Sequence, residues 1–340
     1  MKTLWKKIFL YTLAGLLLLV IAGGIIGIQY FKNDWFKERP NYIIFQHVNP
    51  SVAFKWGKHK YENYTEPHDA MIVPIKIKGL PHQFYMQFDT GSPFSFINKK
   101  PFESLKEYGL DYHSFEEEDL PFITNVELLL GENVISSDHL RVRNNGSTID
   151  FADTSKWHRL GTLGTDIMAD KITVIDFVNN TIEFYEERPA WMANLSGFQD
   201  FDFRGRRFML PASIQGKEME LFYDSGSSAF GLLTSKNRFD AYTDPEVEEI
   251  NYSANSHGKS IPVHHKPSDE MMLIGNEEVS LNRISYVEWH DKWQGFFSQF
   301  TKIGGFIGNK PFLTSALILD TQQNEFLVLK NKQEVEANVN

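Results

Sequence analysis

The chain has 340 residues, 44 Asp+Glu against 34 Lys+Arg, and no cysteine. The missing cysteines exclude a disulfide scaffold, a thiolate zinc site, an iron–sulfur centre and a thiol nucleophile. A net charge of −10 argues against nucleic acid as a partner, since meeting phosphate takes a basic face. Charge is also unevenly placed: residues 1–40 hold six Lys/Arg and two Asp/Glu, a balance of +4, leaving −14 on the rest.

In chain order, Lys2, Lys6 and Lys7 come first, followed by Ile8–Phe31, 24 residues without a charge. That exceeds the roughly 20 residues a helix needs to cross about 30 Å of hydrocarbon. Residues 1–7 therefore read as a cytoplasmic tail and 8–31 as a transmembrane anchor, with the lipid bilayer as a partner. The lysines stay on the cytoplasmic side and send the body across, to the periplasm or the exterior. A cleaved signal peptide is the competing reading, but its apolar core is usually shorter, and no clear small-x-small site follows here. An exported body without a disulfide points to a bacterial envelope.

Residues 32–66, with Trp35, Phe36 and Trp56, read as a juxtamembrane stalk. Beyond them lie short apolar runs punctuated by Gly, Asn and Asp. They are Met71–Ile77, Phe84–Phe88, Val126–Leu130, Ile172–Phe177, Ile182–Tyr185, Met219–Tyr223, Leu317–Asp320 and Phe326–Leu329. Their lengths and their Val, Ile, Phe and Tyr content predict strands. A helix is expected around Pro101–Tyr108 and nowhere else with conviction. The body is read as mainly β.

An internal repeat organises it. Pro74 and Gly79 lead to Phe84-Tyr-Met-Gln-Phe-Asp89-Thr90-Gly91-Ser92, and Pro211 and Gly216 lead to Met219-Glu-Leu-Phe-Tyr-Asp224-Ser225-Gly226-Ser227. Further on, Thr162-Leu163-Gly164 precedes Ile172–Asp176, and Phe306-Ile307-Gly308 precedes Ala316–Asp320. The offsets are 137 for the Pro and Gly pairs, 135 for Asp89/Asp224, and 144 for Gly164/Gly308 and Asp176/Asp320. Four features in one order at nearly constant spacing make the body two copies of one β unit. We place the N-terminal lobe at 67–189, the C-terminal lobe at 190–332 and a tail at 333–340.

Each copy ends an apolar strand with Asp, a β-hydroxy residue and Gly. The hydroxyl can hold neighbouring backbone, and the Gly permits a sharp turn and a close approach. Two such loops facing each other would bring two carboxylates together. Like charges that close cannot both ionise readily, so the pair shares one proton. One carboxylate then acts as base toward water and the other as acid toward a carbonyl, without metal or cofactor.

These motifs resemble those of the pepsin-like aspartic peptidases, over roughly Met71 to Leu329. The resemblance implies a bilobal acid protease fold of two related β-barrel-like lobes, which here would follow the one N-terminal transmembrane helix read from residues 8–31. It implies that Asp89 and Asp224 are the catalytic dyad, and that Thr90 and Ser225 interlock the lobes through their hydroxyls. Ser92 and Ser227 would hydrogen-bond the outer carboxylate oxygens, Gly91 and Gly226 would complete the loops, and Gly164 and Gly308 would mark the lobe glycine motif. A peptide or protein would be the substrate of this membrane-anchored endopeptidase. The family's cleft is covered by a hairpin flap, often bearing Tyr. No Tyr-Gly hairpin signature lies between Asp89 and Gly164: Tyr108 and Tyr112 are in a polar segment, and the turn Gly131-Glu132-Asn133 has no aromatic at its tip. The flap stays unassigned, with the acidic insert Glu116–Asp119 a candidate for that side.

Other signals are weaker. Gly304–Lys310 misses the phosphate-loop spacing. His257, His264 and His265 lack a third ligand at metal-site spacing and read as a polar surface loop, so no metal is expected. Ser92 or Ser227 as a nucleophile has no His and carboxylate motif beside it. Asp166, Asp176 and Asp320 read as strand-end or turn carboxylates, and Trp289, Trp293, Phe296 and Phe297 as core or cleft wall. Two alternatives remain in view: an inactive peptide-binding or sensor module of the same fold, and paired-carboxylate glycoside hydrolysis, which has no need for matched loops.

Overall fold

The computed structural model describes residues 35–46, 51–61, 64–110, 113–117, 119–153, 156–256, 259–288 and 303–337, with isolated positions at 27, 29 and 33. Almost all of the 8–31 stretch, and Tyr112, His257, Trp289, Trp293, Phe296 and Phe297, lie outside the described residues. Among those that are described, no helix is long and apolar enough to cross a membrane.

The described chain is mainly β, in an eleven-stranded, an eight-stranded and a six-stranded sheet. Burial follows the pleat. In Phe84–Phe88 and Val126–Leu130 every second side chain is buried, as in strands with one face on a core. Ile172–Asp176 and Ala316–Asp320 are buried at every position because they are central in the six-stranded sheet and covered on both faces. Ile175, Leu317 and Leu319 face the main core, while Ile172, Val174 and Ile318 face a smaller cluster containing Met192 and packed by Trp191 and Phe198.

Those two strands pair antiparallel with Val174 opposite Ile318, residues 144 apart, so the pseudo-twofold relating the lobes passes between them. The rest of the repeat agrees in register. Pro74 pairs with Tyr85 as Pro211 pairs with Glu220, and Ile77 with Leu128 as Ile214 with Met272. Phe88 lies parallel to Leu163 as Tyr223 lies parallel to Ile307. Both parallel pairs carry an irregularity, which skips Leu160 in one lobe and Gly304 in the other. The hairpin Val126–Leu130/Asn133–Ser137 also has its echo: Leu130 pairs with Asn133, and Ile274 with Glu277, again 144 residues on.

Described parts of the 32–66 stretch join the body. Ile43–Gln46 edges the hairpin strand Asn133–Ser137, Ser51–Ala53 pairs with Thr181–Glu183 in the six-stranded sheet, and Lys55–Lys60 pairs along Thr65–Ile72. The predicted helix spans Lys99–Glu107, and two more, Lys236–Tyr242 and Lys332–Ala337, were not anticipated.

The lobe ends are cross-tied. Asp176 and Asp320 each accept backbone N–H bonds from the turn that follows, at Val178 and Asn179 and at Gln322 and Gln323. Arg188, at the end of the N-terminal lobe, reaches Asp320 at 3.1 Å and also pairs with Glu325. Lys332, 144 residues later, reaches Glu183 at 2.8 Å and Asp176 at 3.6 Å in return. These carboxylates are structural turn residues.

Candidate active site

Parallel pairing delivers each aspartate to the same end of its lobe. Asp89 N–H donates to the Leu163 carbonyl at 3.0 Å, and Asp224 N–H to the Ile307 carbonyl at 2.9 Å. Just beyond, the chain passes so close to the aspartate-bearing loop that no side chain fits. A Cβ at Gly164 would lie 2.5 Å from the Phe94 carbonyl carbon, and one at Gly308 would lie 2.6 Å from the Phe230 carbonyl oxygen. Close approach, not turn conformation, explains the repeated glycine.

The two loops interlock through their hydroxyls. Thr90 N–H donates to Ser225 Oγ at 2.9 Å, and Ser225 N–H donates to Thr90 Oγ1 at 2.8 Å. Thr90 Oγ1 in turn donates to the Tyr223 carbonyl at 3.0 Å, and Ser225 Oγ to the Phe88 carbonyl at 3.1 Å. Both residues are fully buried, so each hydroxyl both donates and accepts where water cannot substitute.

This grip brings the carboxyls face to face. A Cβ on Gly91 would lie 2.5 Å from Asp224 Cγ, and one on Gly226 would lie 2.6 Å from Asp89 Cγ. Each aspartate thus sits against the backbone of the opposite loop, in space that any side chain would fill. Burial, then the facing Asp224 carboxyl, pushes the Asp89 carboxyl well above the usual carboxylate range.

The donors around the pair are unequal. Asp224 accepts N–H bonds from Gly226 at 2.9 Å and Ser227 at 3.2 Å, and the Ser227 hydroxyl donates to its Oδ2 at 2.7 Å. Asp89 accepts from Gly91 N–H at 2.9 Å and, more weakly, from the Ser92 N–H, but the Ser92 hydroxyl donates to the Phe94 carbonyl instead, at 2.6 Å. The expectation is therefore corrected for the Ser92 hydroxyl. Pro93 is the cause, since a residue before proline is driven out of the α region. Ser225–Ser227 closes a 3₁₀ turn continued by Ser228, whereas Ser92 cannot continue one.

Several contributors were not legible as motifs. Tyr223, fully buried, donates its hydroxyl to Asn309 Oδ1 at 2.8 Å, and Asn309 donates to Ser228 Oγ at 2.8 Å, which braces the loop behind Asp224. Glu66, fully buried, binds Lys310 at 2.8 Å and Arg283 at 2.9 Å, and takes the Tyr64 hydroxyl. Burial raises the Glu66 carboxyl, but hydrogen bonds from Lys310, Tyr64 and the His68 N–H outweigh it and hold the group below its ordinary range. Asp166 is a turn carboxylate, in the 3₁₀ turn Thr165–Ile167, where it is buried and accepts both the N–H and the hydroxyl of Ser95, each at 2.6 Å.

His264 and His265 are not on a surface loop. They occupy the strand Lys259–Ile274, whose alternation sends them to opposite faces. His264 pairs with Glu249 at 2.7 Å and stacks on Tyr286. His265 is buried, and desolvation, reinforced by Arg283, pushes its imidazole down to about 3. Of the acidic insert, Glu116 and Glu117 end the strand Ser114–Glu117, which pairs with Leu120–Ile123, and Phe115 and Phe122 stack at 5.6 Å.

No family model and no curated protein sequence matches the chain. Among solved structures, the chain is similar to the aspartic proteinase from Irpex lacteus. The two are 11% identical, the match covers 83% of this chain and 97% of that one, and the TM-score is 0.47.

Proposed function

We propose that this chain is an aspartic endopeptidase, anchored in a membrane by residues 8–31 with its body on the extracytoplasmic side, and that Asp89 and Asp224 are its catalytic dyad. The observation that carries this reading is the reciprocal fit of each carboxyl against the other loop's glycine, held by the Thr90–Ser225 hydroxyl exchange. A turn aspartate with a structural role has no use for a twin at contact distance.

The unequal donor sets divide the labour. Asp224, with two N–H groups and the Ser227 hydroxyl, has its negative charge stabilised. Asp89 has fewer donors and holds the shared proton. A water bound between them gives a proton to Asp224 as its oxygen attacks the carbonyl carbon, while Asp89 protonates the carbonyl oxygen. The resulting gem-diol collapses when a proton returns to the amide nitrogen, the C–N bond breaks, and an acid and an amine leave. The interlocked loops prepay the positioning of both groups.

The test is hydrolysis of an unstructured protein between pH 3 and 7, alongside Asp89→Asn and Asp224→Asn. Cleavage by the parent chain and its loss, by about a thousandfold or more, in either variant is expected. A parent chain that binds peptides without cutting them would establish the receptor reading instead.

A further inference from the structure

The pseudo-twofold makes each lobe a control for the other. Alternation along Phe84–Phe88 buries Phe84, Met86 and Phe88 in the core and turns Tyr85 and Gln87 to the opposite face, on which Asp89 follows two residues after Gln87. Cross-strand pairing extends that face in one row: Lys55, Ile72, Gln87, Thr162, Phe96 and Arg141. The matching row beside Asp224 is Asp202, Met209, Phe222, Phe306, Leu233 and Ser285.

The two faces differ in chemistry. Gln87 is answered by Phe222, and Arg143 and Arg159 by Val287 and Ile303, each 144 residues on. Beside Asp224, Phe306 lies 5.3 Å from Phe222, and Leu233 and Val287 share one apolar cluster with it. Beside Asp89, guanidiniums take those places. Arg143 lies over the Phe96 ring at 4.4 Å, and Arg159 donates to Gln87 Oε1 at 3.2 Å. Farther out, Lys55 stands 5.6 Å over the exposed Trp157 ring, which stacks on Tyr85. Both arginines are exposed, yet enough protein surrounds them to lower the proton affinity of each, as on the wall of a groove. The Asp89 carboxyl opposes that effect at Arg143, and the Asp69 carboxyl opposes it at Arg159. Among the described residues no carboxylate forms an ion pair with Lys55, Arg143 or Arg159, and Asp69 takes the Tyr61 hydroxyl at 3.4 Å.

We propose that this wall selects the substrate: the chain cuts acidic polypeptide, with Arg143 and Arg159 receiving Asp or Glu side chains close to the scissile bond. The inference rests on the peptidase reading above. An extended peptide turns every second side chain to one wall, and a carboxylate turned to this one meets planar guanidinium donors. Structure alone does not require the charges, since Val287 and Ile303 fill the same positions in the other lobe. On a chain of net charge −10, cations left without carboxylate partners beside the dyad are suited to an acidic ligand.

The full chain in neutral detergent is given a library of short peptides from a denatured proteome at about pH 6, where a peptide Glu is ionised, and the cuts are read by mass spectrometry. Asp and Glu are expected to be enriched roughly tenfold within a few residues of the cut. Arg143→Gln and, separately, Arg159→Gln are each expected to reduce that enrichment to about threefold or less. Where neither variant folds, about 1 M NaCl takes their place and is expected to reduce the parent's enrichment likewise. Cleavage without acidic enrichment, or with an enrichment that the folded variants (or salt in their absence) leave unchanged, would overturn the proposal while the peptidase reading stands. A chain that cuts nothing removes that reading, and the wall is then read by anisotropy of a labelled Glu-rich peptide and its Gln twin. Tighter binding of the Glu peptide, weakened roughly tenfold in Arg143→Gln, upholds the acidic ligand, and equal binding of the twins overturns it.

Discussion

In the N-terminal lobe Ser92 is followed by Pro93, and its hydroxyl turns to the Phe94 carbonyl; in the C-terminal lobe Ser227 is followed by Ser228, and its hydroxyl holds the Asp224 carboxylate. Around them the two lobes repeat each other in strand register, down to the skipped residue in the parallel pair. The backbone is therefore nearly symmetric while the electrostatics are not. Beside the loop after Gly308 lies a buried carboxylate, Glu66, and beside the loop after Gly164 a buried guanidinium residue, Arg206. Asymmetry in a dyad of identical side chains arises from such neighbours, since nothing in the carboxyls themselves distinguishes acid from base.

The largest effect expected from breaking this comparison is at Glu66. Glu66→Ala leaves Lys310 and Arg283 facing each other with little solvent, at a cost of about 3–5 kcal/mol in chemical denaturation at pH 7. Because the folded carboxyl lies below its unfolded value, this contribution is present above about pH 4.3 and is lost as pH falls through the folded pKa. Parent and variant stabilities should converge in acid. A difference that persists there would show that packing, not charge, supports the site.

Next come the facing glycines. Gly91→Ala and Gly226→Ala each drive a methyl into the opposite carboxyl and are expected to cost about 3 kcal/mol, nearly equally, with loss of peptide hydrolysis. Unequal costs, read by thermal unfolding, would mean that one lobe yields more readily than the other.

Asp89→Asn has a smaller effect of opposite sign. The folded chain keeps a proton that the unfolded chain releases above about pH 3.9, so the parent loses stability as pH rises from there through the raised folded pKa. The variant should be about 1–2 kcal/mol more stable near pH 7, allowing for partial solvent access, and equal to the parent below pH 4. The smallest contrast sharpens the comparison directly. Ser227→Ala should lower the hydrolytic rate roughly tenfold and Ser92→Ala less than about twofold, because only the former removes a bond to a carboxylate.

What could be read in the sequence was what repeats locally. The Asp-Thr/Ser-Gly loops and the glycine strands each fit within a few residues, and a constant offset joins the copies. The two loops place a serine at the same position, so the different fates of Ser92 and Ser227 are not visible in the motif itself; the residue that follows differs, Pro93 against Ser228, and proline acts backward on the backbone. The Glu66–Lys310 pair was out of reach for another reason: its partners are 244 residues apart, with Glu66 at the edge of a stretch that reads as a stalk. Burial of His265 was hidden because a long polar strand looks like a loop until its partners are known.

The cross-tie at Lys332 has a bearing on how the chain is made. Its partner Glu183 is 149 residues earlier, and at roughly 5–20 residues per second of synthesis the interval is about 7–30 seconds. During that time a nascent N-terminal lobe lacks both the Ala316–Asp320 strand beside Ile172–Asp176 and the cation that answers Asp176 and Glu183. The first-made half must wait with an open, acid-rimmed sheet edge. Its like charges discourage pairing with a second nascent chain until its own later half arrives.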